Sequence, residues 1–230
     1  MYGMGYGGFG PEILLVIFAM ILSVYAQGKV QSTFNKYLKV ISGSGYTGSE
    51  VARKILDRNG LYNVPIEMTP GRLSDHYDPS KRVLRLSSEV YNGRSVASLG
   101  VAAHEVGHAI QHANNYAPLS IRNSIAPMVI FGSKFVFAII FLGFMLRATG
   151  LIQLGILIYV GIVAFQLITL PVEFDASKRA IVNLQNGIIS QSEVEPAKKV
   201  LSAAALTYVA ATLVSIAELL RLIGISRRND

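Results

Sequence analysis

The chain has 230 residues, a net charge of +7 and no cysteine. Apolar residues make up 51% of it and charged residues 15%, whereas an ordinary soluble domain carries about 25% charged residues. This composition excludes a disulfide framework and a thiolate metal site, and it predicts a membrane protein. Any bound metal ion must therefore be held by His, Asp or Glu side chains.

The first predicted element is an N-terminal anchor helix, domain 1–27. Its apolar stretch, residues 13–27, follows the Gly/Tyr-rich lead "MYGMGYGGFG". The lead contains no Lys or Arg, and no A-x-A cleavage site follows it. We therefore predict an uncleaved anchor rather than a removable signal peptide.

Residues 28–125 form the predicted cytoplasmic part, and they contain twelve Lys and Arg residues against seven acidic ones. Positive charge collects on the cytoplasmic side of a membrane protein, so we expect this segment there and the N-terminus outside. The basic excess is then explained by topology and by attraction to anionic lipid, and it requires no nucleic-acid partner.

Within this segment, "TGSEVARKILDRNG" predicts a helix with a capping box between Thr47 and Glu50 and a stop at Gly60. "NVPIEM" and "KRVLRLS" predict strands, the second one half-buried, separated by the turn-rich "TPGRLSDHYDPS". A second helix is expected over 95–113, with Ser95 as its cap.

Three histidines stand four residues apart in this second helix, in the sequence "AAHEVGHAIQH". Four residues advance a helix by about 6 Å and return to nearly the same face, so His104 and His108 can share one ion at zinc bond lengths of about 2.1 Å. Glu105 points to the side, where it can act on a water molecule beside the ion. This is the HExxH pattern of zinc hydrolases.

His112 is predicted to be a neighbouring or surface residue rather than a ligand. It lies about 12 Å along the helix from His104, too far for both to bind one ion. Metzincins place a third histidine ten residues after the first and past a chain-turning glycine, whereas the interval here is eight.

Domain 126–170 is a predicted transmembrane hairpin, made of the apolar runs 128–146 and 151–170 on either side of "RATG". Domain 171–230 combines a third-ligand helix with a fourth apolar helix, 202–225. That helix either spans the membrane or packs against the other elements, because it contains two charged residues.

The third metal ligand must come from elsewhere on the cytoplasmic side. "LPVEFDASKRA" is the segment of most interest, because it directly follows the third span and Pro171 suits the start or kink of a helix. Glu173 would then complete a His/His/Glu site, or it would only pair with Lys178 or Arg179. The candidates are His76, Asp75, Asp78, Glu89, Glu173 and Asp175.

"DHYDPSKRVLRLS", "SVASLGVAAHEVGHAIQH" and "PVEFDAS" together resemble the YugP-like neutral zinc metallopeptidases. These are bacterial membrane proteins of the gluzincin group, distantly related to HtpX-type proteases. The likeness covers about residues 28–220. It implies a mainly α membrane protein with three or four transmembrane helices and a small α+β zincin-like metalloprotease domain.

The resemblance also implies one Zn²⁺ per chain, bound by His104, His108 and Glu173, with Glu105 as the general base. In the HtpX-type pattern the third ligand opens an E-x-x-A-D segment, and here Ser177 replaces the Asp. Asp175 or Asp78 is then expected to orient a ligand histidine. His76 and Tyr77 are candidates for stabilising the oxyanion, unless they only satisfy the backbone of their turn.

The expected function is that of a membrane-anchored zinc endopeptidase in the bacterial cell membrane, multi-pass, with its active site on the cytoplasmic side near the membrane surface. It would hydrolyse peptide bonds of cytoplasmic or membrane-proximal polypeptides through a zinc-activated water. In such proteases an edge strand pairs with the substrate, and "RVLRLS" is expected to be that edge. The alternatives are an intramembrane protease, which the polar surroundings of the motif disfavour, and a non-enzymatic metal-binding protein or transporter.

Overall fold

The computed structural model describes residues 11–228, and the Gly/Tyr-rich lead of the predicted anchor lies outside the described residues. Helices make up 75% of the structure beside one three-stranded sheet, which confirms the mainly α prediction. The elements are α1 (Pro11–Leu38), α2 (Gly48–Arg58), β1 (Ile66–Thr69), β2 (His76–Asp78), β3 (Val83–Ser87), α3 (Ser88–Tyr91), α4 (Val96–Ala113), α5 (Ala117–Met145), α6 (Thr149–Gln185) and α7 (Gln191–Arg228).

The chain divides into two compact units. The first contains the described residues of Met1–Tyr25, Ser124–Leu167 and Tyr208–Asp230, and the second contains Ala26–Asn123 and Ile168–Thr207. The helices α1, α5, α6 and α7 each contribute residues to both units.

The first unit consists of apolar helix segments. By length and composition α1, α5, α6 and α7 are all able to cross a membrane, with mean hydropathies of 2.0, 2.2, 2.3 and 1.9. Large apolar side chains point outward from them, among them Phe18, Met128 and Phe141 with 65%, 72% and 66% exposure. The two charged residues of the fourth apolar stretch, 202–225, are Glu218 and Arg221, and they pair with each other along α7.

The second unit has a continuous core built around α2 and α4. The capping box of α2 is confirmed, because Glu50 N–H donates to Thr47 Oγ1 at 3.3 Å and Thr47 N–H donates to Glu50 Oε2 at 2.7 Å. Gly60 follows α2 in the left-handed region with φ of +75°. Ser95 caps α4 as predicted, with its Oγ accepting from Ser98 N–H at 3.1 Å.

The sheet has the order β1–β3–β2, with β3 parallel to β1 and antiparallel to β2. Two expectations about this region are wrong. The turn-rich segment contains the strand β2, and β3 is the central strand rather than a half-buried edge. Leu84 and Leu86 are both fully buried in the core of the second unit, and strands pair with β3 on both sides. The edge strand that contacts α4 is β2.

The third predicted span continues well beyond its apolar run. Pro171 lies inside α6 and starts no new helix. The segment that follows it belongs to the second unit, where Ala176, Ala180 and Leu184 are buried. A single helix therefore contains both the apolar run 151–170 and the carboxylate of Glu173.

Candidate metal centre

The site forms where α4 crosses α6 at very short distance. A Cβ atom built on Gly107 would lie 2.6 Å from the carbonyl oxygen of Ala176, closer than real Cβ atoms come. Glycine at this position of α4 lets the two backbones approach. His104 and His108 flank Gly107 at −3 and +1, and Glu173 lies one turn before Ala176, so the crossing turns these side chains toward one another.

Three polar atoms converge at this crossing. Nε2 of His104 lies 3.3 Å from Oε2 of Glu173, and Nε2 of His108 lies 3.7 Å from the same oxygen. Glu173 is only 2% exposed, and its Oε2 is buried without a hydrogen-bond partner. A carboxylate oxygen in that position costs free energy unless a cation compensates it.

The spacing of these atoms fits a zinc ion better than an ion pair. Tetrahedral bonds of about 2.1 Å place neighbouring ligand atoms about 3.4 Å apart. Charge-assisted N–H···O bonds are shorter, at about 2.7–2.9 Å. The distances of 3.3 and 3.7 Å match the first geometry, and the ligand atoms of all three residues lie within 4.8 Å of one another.

The second ring nitrogen, Nδ1, of each of these two histidines lies within hydrogen-bond distance of a polar side chain. Ser177 Oγ lies 3.1 Å from Nδ1 of His104, and Oε1 of Gln111 lies 3.0 Å from Nδ1 of His108. The Gln111 amide nitrogen donates to the Val172 carbonyl at 2.8 Å, so its oxygen must face the imidazole. A proton on Nδ1 then leaves the Nε2 lone pair free for a metal.

Gln111 is the residue that the sequence reasoning missed. It is fully buried, and besides the Val172 contact it donates to Oδ2 of Asp175 at 2.8 Å. Asp175, expected to orient a histidine, therefore reaches His108 only through Gln111. The sequence feature that could have identified Gln111 is its position three residues after His108, on the face of α4 that carries the two histidine ligands.

The local charges act on His108 in opposite directions. Burial lowers the pKa of its imidazole, but attraction by the carboxylates of Glu173 and Glu105 outweighs burial, and the net shift is upward. Because a histidine must be neutral to bind a metal, protons and metal compete for His108.

Glu105 lies beside the three ligands without joining them. It is 9% exposed, and across residues 12–227 its carboxylate forms no ion pair. Its charge acts on His108 and on Asp75, the residue directly before β2. Burial raises the pKa of Asp75, as does the charge of Glu105, although the N–H and hydroxyl of Ser87 partly offset this.

Tyr77 and His112 form a pair one helical turn beyond the ligands. The Tyr77 hydroxyl lies 2.9 Å from Nδ1 of His112, and burial raises the pKa of the phenol. The structure therefore places His112 against β2 and outside the ligand group.

The two remaining candidates of the turn lie apart from the three ligands. His76 is exposed, and its Nδ1 is 2.8 Å from the Ser74 carbonyl. Asp78 accepts from the backbone of Lys81 and from the guanidinium of Arg85, and these two contacts lower the pKa of Asp78. Both arrangements stabilise the loop and its strand.

Comparison with known proteins identifies the family. The sequence family described as "Putative neutral zinc metallopeptidase" matches residues 12–227. The chain belongs to this family. It is also 55% identical, over 215 residues, to the "Putative membrane protease YugP" of Bacillus subtilis strain 168, covering 93% of this chain and 95% of that protein. The resemblance seen in the sequence is thus confirmed, whereas no solved structure matches the chain.

Proposed function

We propose that the protein is a membrane-anchored zinc endopeptidase that cuts cytoplasmic or membrane-proximal polypeptides. The observation that carries the proposal is the buried Glu173 oxygen, which has no hydrogen-bond partner and faces two imidazole nitrogens. Membership of the zinc metallopeptidase family and the HExxH sequence on α4 support the same conclusion.

His104, His108 and Glu173 would hold one zinc ion and leave a fourth position open to water and substrate. When bound, zinc lowers the pKa of a water molecule and polarises the carbonyl of the scissile bond. The protein's own contribution is to hold the three ligand atoms in place before the metal arrives. Ser177 and Gln111 do this by fixing the two rings.

Glu105 would act as the general base and then as the general acid. Its carboxylate takes a proton from the attacking water and later delivers that proton to the nitrogen of the leaving amine. Its position on α4 directly after His104 supports this role, since no Lys or Arg among the described residues pairs with it. The oxyanion would be stabilised from the β2 side, where Tyr77 lies.

The substrate would bind as an extended strand along the outer edge of β2. β3 occupies the centre of the sheet, so its backbone groups already pair with β1 and β2. β2 contacts α4, and main-chain pairing of a peptide along its outer edge would give affinity with little dependence on sequence. This arrangement of HExxH helix, edge strand and third ligand from a later helix is the basis for considering the second unit zincin-like.

We place the active site on the cytoplasmic side, near the membrane surface. The twelve basic residues of 28–125 favour that side. Glu173 follows the apolar run of α6 by only three residues, which favours a site close to the bilayer. A transporter or storage protein would have no use for the carboxylate of Glu105, and the charges of Glu218 and Arg221 neutralise each other within α7.

Three matched Glu→Gln variants test the proposal. Casein cleavage and zinc content would be measured for the detergent-purified chain, with and without a chelator. Glu105→Gln should keep zinc and lose at least about 100-fold in rate, because it removes the proton acceptor. Glu173→Gln should lose zinc and activity together. Glu89→Gln changes neither, because Glu89 pairs with Arg72 at the surface.

Normal cleavage by Glu105→Gln would reject the assigned base, and full zinc content in Glu173→Gln would reject the third ligand. If the unsubstituted chain binds zinc and cuts no polypeptide, the protein is a non-enzymatic metal-binding protein or transporter rather than a protease.

A further inference from the structure

A cleft between α1 and α7 in the second unit is lined by an excess of positively charged over negatively charged side chains. It measures about 450 Å³ and lies apart from the metal centre. Lysines line it from both sides, two from each helix, and one carboxylate, that of Glu195, is among its lining residues. The four lysines are Lys29, Lys36, Lys198 and Lys199.

Helical spacing explains how the lysines come together. Lys29 and Lys36 are seven residues apart and share one face of α1 with Thr33, which is buried between them. On α7, Lys199 shares a face with Ser202 and Ala203. Both faces line the cleft, and Thr33 and Ala203 are buried in it whereas the four lysines and Ser202 are exposed.

The four ammonium groups of this cleft outnumber its one carboxylate, that of Glu195. All four lysines are exposed, and in the described part of the chain none of them forms an ion pair. Like charges held together repel, and a cleft with an excess of one sign of charge concentrates the opposite ion. The cleft therefore favours an anionic ligand.

The position of the lysines along the helices indicates which anion. Lys29 comes two residues after the apolar stretch 13–27, and Lys199 comes three residues before the apolar stretch 202–225. Residues at the ends of membrane-spanning stretches lie at the depth of the lipid headgroups.

We propose that this cleft is a binding site for the phosphate of an anionic phospholipid. The lysines contact the phosphate oxygens, and Thr33 and Ser202 supply hydroxyl donors. The site retains one lipid at a defined place, in contrast to the diffuse attraction that a positively charged surface exerts on a bilayer.

Native mass spectrometry of the full-length chain, released from detergent, tests the proposal. Phosphatidylglycerol and phosphatidylcholine with identical acyl chains would be titrated separately, and inorganic phosphate would be added in a third arm. Lys36→Gln/Lys199→Gln is the site variant, and Lys39→Gln/Lys81→Gln is the control with the same charge change at exposed lysines outside the cleft. Lys36→Arg/Lys199→Arg keeps the charge.

We expect the first phosphatidylglycerol to bind more tightly than phosphatidylcholine. Each lysine contributes about fivefold, so the Gln site variant should bind phosphatidylglycerol at least about tenfold more weakly, while the Arg variant and the control stay within about twofold of the unsubstituted chain. Zinc content should be unchanged in all variants. Equal losses in the site and control variants, or equal affinity for both lipids, would overturn the proposal. Displacement of the lipid by inorganic phosphate at the same concentration would also overturn it in favour of a free-phosphate site.

Discussion

Replacing Gly107 by alanine tests whether the helix crossing builds the metal centre. The added Cβ would stand 2.6 Å from the Ala176 carbonyl oxygen, whereas ordinary contact begins at 3.4 Å. The backbones of α4 and α6 must therefore separate by about 0.8 Å, since the clash is with backbone and no flexible side chain can yield. Metal ligands tolerate deviations of only about 0.2 Å.

Two opposing effects on stability accompany this shift. Alanine favours the helical state over glycine by about 1 kcal/mol. Overpacking a buried contact costs about 1–3 kcal/mol. We therefore expect a modest change in the free energy of unfolding but a large change in function, with kcat/KM lower by about 100-fold and zinc bound more weakly.

Gly100→Ala is the matched control on the same helix, because nothing lies within 4 Å of a Cβ built on Gly100. It should leave cleavage and zinc content unchanged and stabilise the protein slightly. Zinc would be measured by competition with a chromophoric chelator, stability by thermal unfolding, and activity with casein. If Gly107→Ala keeps the zinc affinity and rate of Gly100→Ala, the close approach of α4 and α6 does not position the ligands.

The remaining predictions concern the supports of the site and its substrate edge. Gln111→Met removes the acceptor behind His108 and should weaken zinc affinity about 10- to 100-fold, while an unchanged affinity would show that the ring is held by packing alone. Ser177→Ala should likewise weaken zinc affinity, because it removes the partner of His104 Nδ1. Ser177→Asp, which completes the E-x-x-A-D pattern, should bind zinc as tightly as the unsubstituted chain. Weak zinc binding by the Asp variant would show that Ser177 and an Asp at this position do not play equivalent roles. A series of peptide substrates, each N-methylated at one amide, should lose cleavage at alternate positions if the peptide pairs with β2, and a loss without alternation would contradict strand pairing.

The sequence could predict what depends on neighbouring residues. The caps at Thr47 and Ser95, the bounds of α4, and the shared face of His104 and His108 all follow from helical spacing and local hydrogen bonds, and the structure has each of them. The candidate membrane-spanning helices could also be predicted from the sequence, because crossing a bilayer requires only sufficient length and apolar composition, independent of tertiary contacts.

The errors came from pairings that the residues of a segment do not specify by themselves. β2 has only three residues, His76–Asp78, with no apolar alternation, and it is a strand because β3 pairs with it. The central position of β3 likewise depends on two partners that its own sequence does not specify. Gln111 could not be assigned a role before α6 was placed against α4, because its partners Val172 and Asp175 lie 61 and 64 positions further along.

The site thus divides into a local and a non-local part. A folded α4 alone would present two imidazoles and the carboxylate of Glu105, because their spacing is fixed by the helix. Two imidazoles leave a zinc ion short of the three protein ligands that a catalytic site uses. The third arrives only where Gly107 allows α6 to approach, and the same approach brings Ser177 behind His104. The proposed metal binding therefore needs the α4–α6 crossing as well as the motif, and a substitution that separates these helices should weaken zinc binding while leaving His104, Glu105 and His108 in place.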